Sequence, residues 1–182
     1  MSGTEPSTLG EILTALEQVG GEVTAYLGGL PAAVFSGGSD EDWSPGHHLK
    51  HLVLSNTPVA SALTLPRGRL PVRDTAQAHR SYSEMRAFYQ GALSTGARAF
   101  GPFLPTLDGT QTEAVAGYTG SAELLTHACL HWSEPELDGY AMPHPVLGLL
   151  SVREMLFFTV HHNQHHLNGV RSKLDSASLE RL

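Results

Sequence analysis

Four of the chain's eleven histidines lie within six residues near the carboxyl end, in the run from His161 to His166. The run reads His-His-Asn-Gln-His-His and contains two interleaved His-x-x-x-His pairs. Residues four apart on a helix share a face and lie roughly 6 Å apart at Cβ. Two imidazoles at this spacing can bind one transition-metal ion, and zinc, nickel, copper and iron all accept nitrogen ligands. The run is therefore a candidate metal site.

Helical periodicity separates the two pairs. At about 100° per residue, His162 and His166 lie beside the apolar stripe of the surrounding helix, whereas His161 and His165 point away from it. We expect the first pair to face the interior, as metal ligands or as hydrogen-bonded histidines at the edge of the core. We expect the second pair to form a polar outer face near Glu154. The stripe consists of Val152, Leu156, Val160, Leu167, Val170 and Leu174.

A third ligand is needed, because catalytic histidine sites usually supply three protein ligands and leave one position open. The candidates on the second predicted helix are His47, His48 and His51. Periodicity alone favours His48, which lies nearer the apolar stripe of that helix than His51 does.

Three further histidines have weaker claims. His127 and His131 are also four apart, but they lie at the margin of the apolar face formed by Leu124, Ala128 and Trp132, so we expect a surface location. His144 lies between two prolines, and we expect a loop residue with a structural role.

The elements that must position these residues are helical. Apolar periodicity predicts helices over residues 9–28, 45–66, 76–96, 121–133 and 152–174. Ser7 is the expected cap of the first helix, Ser44 that of the second, and Ser151 with Glu154 forms a capping box for the last. Pro58 predicts a kink or an early end of the second helix. The segments 36–42, 101–120 and 134–150 are predicted loops, and the last two should shape any pocket.

No convincing strand is present in the pattern, so the predicted fold class is all-α, with four principal helices, one shorter helix and long loops. At 182 residues the chain is long enough for one domain, predicted over residues 1–182. A homodimer is compatible with a bundle of this size.

Composition excludes several classes of protein. The formal charge of −7 argues against nucleic-acid binding, and the basic cluster of Arg67, Arg69 and Arg73 is read as a solvated loop. The lone Cys129 excludes an internal disulfide framework, fits a reducing cytoplasm, and is expected to be buried packing. The chain shows neither a signal peptide nor an apolar run of the ~20 residues that a membrane span needs. We expect a cytoplasmic protein that does not cross a membrane.

Two motifs resemble the DinB/YfiT-like family. Trp43-Ser44-Pro45, followed by His51-Leu52, is similar to the family's second-helix signature, in which a Trp begins the helix and a His-Leu pair follows eight residues later. The run from His162 to Leu167 is similar to the motif of its last helix, and residues 144–148 and 151–155 resemble the approach to that helix. The first and third helices match only in pattern. Asn168-Gly169 stand where a Gly-Gln pair commonly follows the final ligand.

The resemblance implies an antiparallel four-helix bundle with one divalent metal ion held by three histidines. It assigns the ligands to His51, His162 and His166, with His48 as the alternative to His51. Zinc and nickel both suit imidazole ligands.

Relatives in this family include thiol-dependent S-transferases and isomerases, and proteins described as hydrolases. The resemblance therefore implies a metal-dependent enzyme that transfers or conjugates a low-molecular-weight thiol to a small-molecule substrate. The alternatives are a metal-dependent hydrolase, a non-enzymatic metal-binding protein, and a protein without a metal.

Overall fold

The computed structural model describes residues 5–38, 42–74 and 78–179. This part of the chain is mostly helical, as predicted. Its α-helices are α1 (Leu9–Gly28), α2 (Ala32–Ser36), α3 (Pro45–Leu63), α4 (Tyr82–Ser94), α5 (Gln111–Cys129), α6 (Glu134–Gly139) and α7 (Val152–Leu179). Short 3-10 turns occupy Arg67–Arg69 and Gly101–Phe103, and two strands, β1 (Ala141–His144) and β2 (Gly148–Ser151), form an antiparallel hairpin.

The four long helices α1, α3, α5 and α7 pack against one another, and α4 packs against α7. Their apolar stripes meet in one core cluster, because an amphipathic helix gains stability by burying its apolar face. Five fully buried members of that cluster, one from each of these helices, are Ile12, Leu49, Met85, Tyr118 and Leu156.

Polar residues at the helix starts satisfy backbone amides that have no partner within the helix. The Ser151 amide donates to Glu154 Oε2 at 2.8 Å, and the Glu154 amide donates to Ser151 Oγ at 3.0 Å, which is the predicted capping box of α7. The cap of α1 is Thr8, and the prediction of Ser7 was wrong by one residue. Glu11 explains the shift, because its carboxylate accepts from the Thr8 amide and so completes a capping box there.

Helix α3 begins as predicted, with Ser44 as cap and Pro45 in the first turn. His47 takes the place of the usual glutamate, since the Ser44 amide donates to His47 Nδ1 at 3.2 Å. Of the two outcomes expected at Pro58, a kink or an early end, the early end does not occur, because the helix continues to Leu63. Pro58 is exposed, so water can solvate the carbonyl that the proline leaves without a helical donor.

Two side chains, Leu107 and Phe35, lie very close to the backbone at the start of α3. A Cβ on Gly46 would lie 2.7 Å from Leu107 Cδ1 and 2.9 Å from Phe35 Cε1. A larger residue at position 46 would push the Leu107 and Phe35 side chains aside, so glycine permits their close packing here. Leu107, in the segment before α5, thus packs directly against the start of α3.

Two predicted helix starts differ from the structure. Helix α5 begins at Gln111, ten residues before the expected start at 121, so half of the predicted loop 101–120 is helical. Its glycines lower helix propensity, but the buried Tyr118 side chain anchors this part of α5 in the core, and tertiary packing outweighs propensity. Helix α4 begins at Tyr82 instead of 76, after a capping box of Ser81 and Glu84, and residues 75–77 lie outside the described part of the chain.

The hairpin and the short helices α2 and α6 were not predicted. Strands β1 and β2 occupy part of the expected loop 134–150, with His144 opposite Gly148 in the register. Four-residue strands are too short for periodicity to identify. Gly148 has a φ of +79°, a conformation that glycine adopts without strain, and it follows the tight connection between the strands.

A buried polar network joins three of the long helices. Asn163 on α7 donates to Asn56 Oδ1 on α3 at 3.1 Å and to the Thr159 carbonyl at 2.8 Å. Tyr118 on α5 donates its hydroxyl proton to Asn163 Oδ1 at 2.8 Å. Because buried amides are costly without partners, this network favours one register between α3 and α7.

Three smaller expectations have clear outcomes. Cys129 is buried, as predicted, and burial raises the pKa of its thiol to about 12. The Arg67 side chain is not simply solvated, because its guanidinium pairs with Glu136 at 2.9 Å and stacks on Trp132. None of the described helices combines the length and hydropathy needed to span a membrane.

Replacing Asn163 by alanine should lower the free energy of unfolding by about 2–3 kcal/mol, because the Tyr118 hydroxyl and the Asn56 amide would remain buried without their partner. Urea denaturation followed by circular dichroism measures this change. Asn168→Ala, at an exposed position of the same helix, is the control and should change stability by less than about 0.5 kcal/mol. Equal effects of the two substitutions would contradict a stabilising role of the network.

Candidate metal centre

Helices α3 and α7 bring His51, His162 and His166 together. His162 Nε2 lies 3.1 Å from His51 Nε2 and 3.1 Å from His166 Nε2. One nitrogen from each of the three residues lies within 4.8 Å of the others. His162 and His166 share the inner face of α7, as periodicity predicted, and α3 supplies the third imidazole from a position 111 residues earlier in the chain.

The backbone carbonyl of Phe103 determines which nitrogen of His51 is protonated. His51 Nδ1 lies 2.7 Å from Phe103 O. A carbonyl oxygen can only accept, so Nδ1 carries the proton and donates it, and in the neutral ring Nε2 keeps a free lone pair. This hydrogen bond is the orienting contact that metal-binding histidines usually make.

His48 contacts the Nδ1 atom of His166, as the Phe103 carbonyl contacts the Nδ1 atom of His51. The two Nδ1 atoms lie 2.8 Å apart, so one of them carries the proton that the other accepts. When His166 Nδ1 is the donor, its Nε2 is unprotonated and faces the other two rings. The geometry thus places His51 in the three-nitrogen group and His48 outside it, although periodicity alone favoured His48.

His162 lies deepest of the three. Its ring is stacked on Phe158 with centroids 5.1 Å apart and contacts Tyr89 edge to face at 5.9 Å. Its Nδ1 is the one buried side-chain nitrogen or oxygen among the described residues that has no hydrogen-bond partner. Aromatic packing, and not a hydrogen bond to Nδ1, therefore orients this imidazole.

Burial keeps the cluster uncharged. The pKa values of His162 and His166 lie well below the usual 6.5, first because burial penalises the imidazolium and then because neighbouring imidazoles repel a second charge. Burial also lowers the pKa of His51, although the hydrogen bond to Phe103 opposes this. At neutral pH the group consists of three neutral imidazoles.

The donor set fits a divalent transition-metal ion. Imidazole nitrogens lie about 2.0–2.1 Å from zinc, so two nitrogens sharing one ion at octahedral or tetrahedral angles are about 2.8–3.4 Å apart. The observed 3.1 Å separations lie within this range. In the neutral cluster His162 Nε2 lies within hydrogen-bond distance of the other two nitrogens, and a cation bound between the three would replace these contacts. His51, His162 and His166 would hold the ion.

The cluster lies in the wall of a large cavity of about 1110 Å³. Most of its lining is apolar and comes from α3, α4, α7, the segment 97–104 and the hairpin connection. The two predicted loops thus contribute to the pocket, as expected. Asp42 is the one carboxylate among the described lining residues, and it accepts a hydrogen bond from Lys173 at 2.6 Å.

The two histidines of the second pair on α7, His161 and His165, have different environments. His165 is exposed, as predicted, but the prediction for His161 was wrong: its ring is buried, lies 3.9 Å from the Tyr82 ring and hydrogen-bonds to the Tyr82 carbonyl through Nε2. Glu154, expected on the same outer face, is also buried and pairs with Arg80 at 3.0 Å. Helix α4 and the segment before it cover this face, which periodicity within α7 does not reveal.

The remaining candidate histidines do not join the cluster. His47 is used by the cap of α3, and His127 and His131 are exposed, as expected. Trp132 is buried but Leu124 is exposed, so the predicted apolar face of α5 was partly wrong.

Sequence reasoning missed four contributors to the site. Phe103 acts through its backbone carbonyl, for which no side-chain pattern exists. Phe158 and Tyr89 belong to no motif that points to a site, and His144 was expected to be a structural loop residue although it lines the cavity. The Pro-His-Pro sequence was the available signal for His144, because prolines on both sides restrict its backbone.

The fold and the cluster define a mostly helical protein with a histidine group positioned to bind a metal ion. Residues 15–169, which include all three histidines, match the family model of the DinB superfamily, and the chain belongs to this superfamily. The resemblance noted in the sequence is thereby confirmed. No curated protein matches the chain.

The unmutated protein should bind about one divalent transition-metal ion per chain, because three preorganised neutral imidazoles are sufficient for tight binding. The double variant His162→Ala/His166→Ala should bind less than about a tenth of this amount, since one imidazole remains. Elemental analysis after loading with zinc or nickel and gel filtration measures the stoichiometry. His127→Ala/His131→Ala removes an exposed pair with the same spacing and is the matched control. Equal metal contents in the two double variants would contradict the site.

The metal-free protein should lose stability as the pH falls from 7.5 to 5. The buried histidines have lowered pKa values, about 4 for His48 and His144, so the unfolded chain binds more protons than the folded one below pH 6.5. Stability therefore decreases with falling pH in this window, by about 2 kcal/mol or more at pH 5. Urea denaturation in the presence of a chelator measures it. A flat profile between pH 7.5 and 5 would show that these histidines are not held neutral in the folded protein.

Proposed function

We propose that the chain is a metal-dependent enzyme that conjugates a low-molecular-weight thiol to an apolar electrophile, on an antiparallel four-helix bundle. One observation carries the proposal: three convergent imidazole nitrogens lie in the wall of a large apolar cavity that offers no unpaired carboxylate among its described lining residues. In this proposal the thiol binds at the histidine cluster, and the electrophile binds against the apolar wall of the cavity.

The charge of the site favours a thiol. His51, His162 and His166 are neutral ligands that would leave a bound divalent cation its full charge, and the ion would supply Lewis acidity that lowers the pKa of a thiol or of water. A thiol has an ordinary pKa near 8.5 and needs only a modest shift to be a thiolate at pH 7. Water needs a far larger shift and commonly a carboxylate base, which the described cavity wall does not supply.

The cavity wall favours an apolar electrophile. Phe100, Phe103 and Leu104 line one side, and Met155 and Phe158 on α7 line another. These side chains exclude water and can bind an aromatic or aliphatic group by apolar contact. In the proposed step the thiol gives its proton to solvent, the sulfur electron pair forms a bond to an electrophilic carbon, and the bond from that carbon to its leaving group breaks.

The metal-loaded protein should accelerate the conjugation of thiols to 1-chloro-2,4-dinitrobenzene at least about tenfold over the metal-free protein. The products are a thioether, chloride and a proton. Absorbance of the thioether reports the rate with a panel of thiols that includes L-cysteine and glutathione. His166→Ala should abolish the metal-dependent part of the rate, and the exposed double variant His127→Ala/His131→Ala should retain it.

Two other outcomes would replace the proposal. Metal-dependent hydrolysis of 4-nitrophenyl acetate without any thiol would identify a hydrolase. A bound metal ion that raises the melting temperature, together with no turnover of either substrate, would identify a non-enzymatic metal-binding protein.

A further inference from the structure

The His144 side chain is held by the connection between the two strands. Its Nδ1 accepts hydrogen bonds from the backbone amides of Val146, at 3.2 Å, and Leu147, at 3.0 Å. Prolines at 143 and 145 restrict the backbone on both sides. The imidazole is therefore part of a rigid turn, and its position does not depend on a mobile side chain.

These two contacts determine the protonation of the ring. A nitrogen that accepts from two backbone amides cannot carry a proton itself, so the proton of the neutral ring is on Nε2. Burial lowers the pKa of His144 to about 4, which agrees with a neutral ring at pH 7. His144 is thus a neutral hydrogen-bond donor through Nε2, and among the described residues no group accepts that proton.

His144 lies on the cavity wall near the histidine cluster. Its ring contacts the Phe158 ring at 4.4 Å between centroids, and Phe158 also stacks on His162 at 5.1 Å. The half-buried imidazole lines the cavity together with mostly apolar side chains. A neutral donor beside apolar side chains is best matched by a ligand that brings its own acceptor to that position.

We propose that His144 Nε2–H is a substrate-positioning donor, and that the cavity takes apolar molecules carrying an acceptor oxygen, such as a carbonyl or an epoxide. That this molecule is the electrophile of the reaction rests on the proposed function. That it binds in the cavity does not rest on the proposed function. The oxygen accepts from His144, and the apolar body packs on Phe158 and its neighbours. No bond is made or broken in this binding step.

Two substitutions separate this role from that of holding the turn. In His144→Asn the side-chain oxygen can still accept from the Val146 and Leu147 amides, but no donor reaches the position of Nε2. In His144→Gln the longer side chain can place an amide donor near that position, but it no longer matches the Nδ1 acceptor. If the proposal is correct, His144→Asn should impair ligand binding and His144→Gln should preserve it. If His144 only stabilises the turn, His144→Gln should be the more harmful substitution.

The experiment is an NMR titration of chelator-treated protein with acetophenone and with ethylbenzene, which have similar shapes but differ in the acceptor oxygen. The unmutated protein should bind acetophenone about three- to tenfold more tightly, as expected for one neutral hydrogen bond. His144→Asn should lose this preference and His144→Gln should keep most of it. The ¹⁵N spectrum of labelled histidine should show protonated Nε2 in His144.

Three results would overturn the proposal: no preference in the unmutated protein, an unchanged preference in His144→Asn, or loss of the preference in His144→Gln alone. Melting temperatures of both variants establish that the titrations are made on folded protein. Because the titration uses metal-free protein and no thiol, its failure is distinguishable from failure of the thiol-transfer activity.

Discussion

The removal of three adjacent imidazoles from most of their contact with water is the constraint on which the rest of this structure depends. Protonated rings with nitrogens 3.1 Å apart would repel one another, and each would lose its hydration. Burial therefore keeps His51, His162 and His166 neutral and leaves their lone pairs available to a cation. It also requires that the surrounding side chains be apolar, so the same packing that lowers the pKa values forms the wall of the cavity.

Such a cluster needs a defined register between two helices that are distant in sequence. The Asn56–Asn163 pair provides it, because these buried amides have few alternative partners if α3 slides along α7. The start of α3 is fixed by its cap, Leu107 and Phe35 pack close to it at Gly46, and the Phe103 carbonyl is joined to His51 by a hydrogen bond. Polar groups thus determine the alignment, and apolar burial supplies most of the stability.

Sequence periodicity was sufficient to predict the orientation of a side chain where that orientation depends on one helix alone. It predicted that His162 and His166 face inward, because their position relative to the apolar stripe is a property of α7 alone. It was wrong for His161, whose burial depends on α4, and it favoured His48 over His51 because a helical wheel shows the direction of a side chain and not its distance from another helix. Family motifs indicated His51, since they retain information about contacts that periodicity lacks.

The sequence by itself determined the mostly helical architecture, the capped starts of α3 and α7, and the shared inner face of His162 and His166. These follow from local preferences: capping, proline placement and the 3.6-residue period. Only the tertiary structure decided which histidine of α3 completes the cluster, that the Phe103 carbonyl leaves His51 Nε2 unprotonated, and that the turn after β1 makes His144 a donor. Each of these depends on the position of a backbone atom or a distant helix in space, which no spacing of residue types encodes.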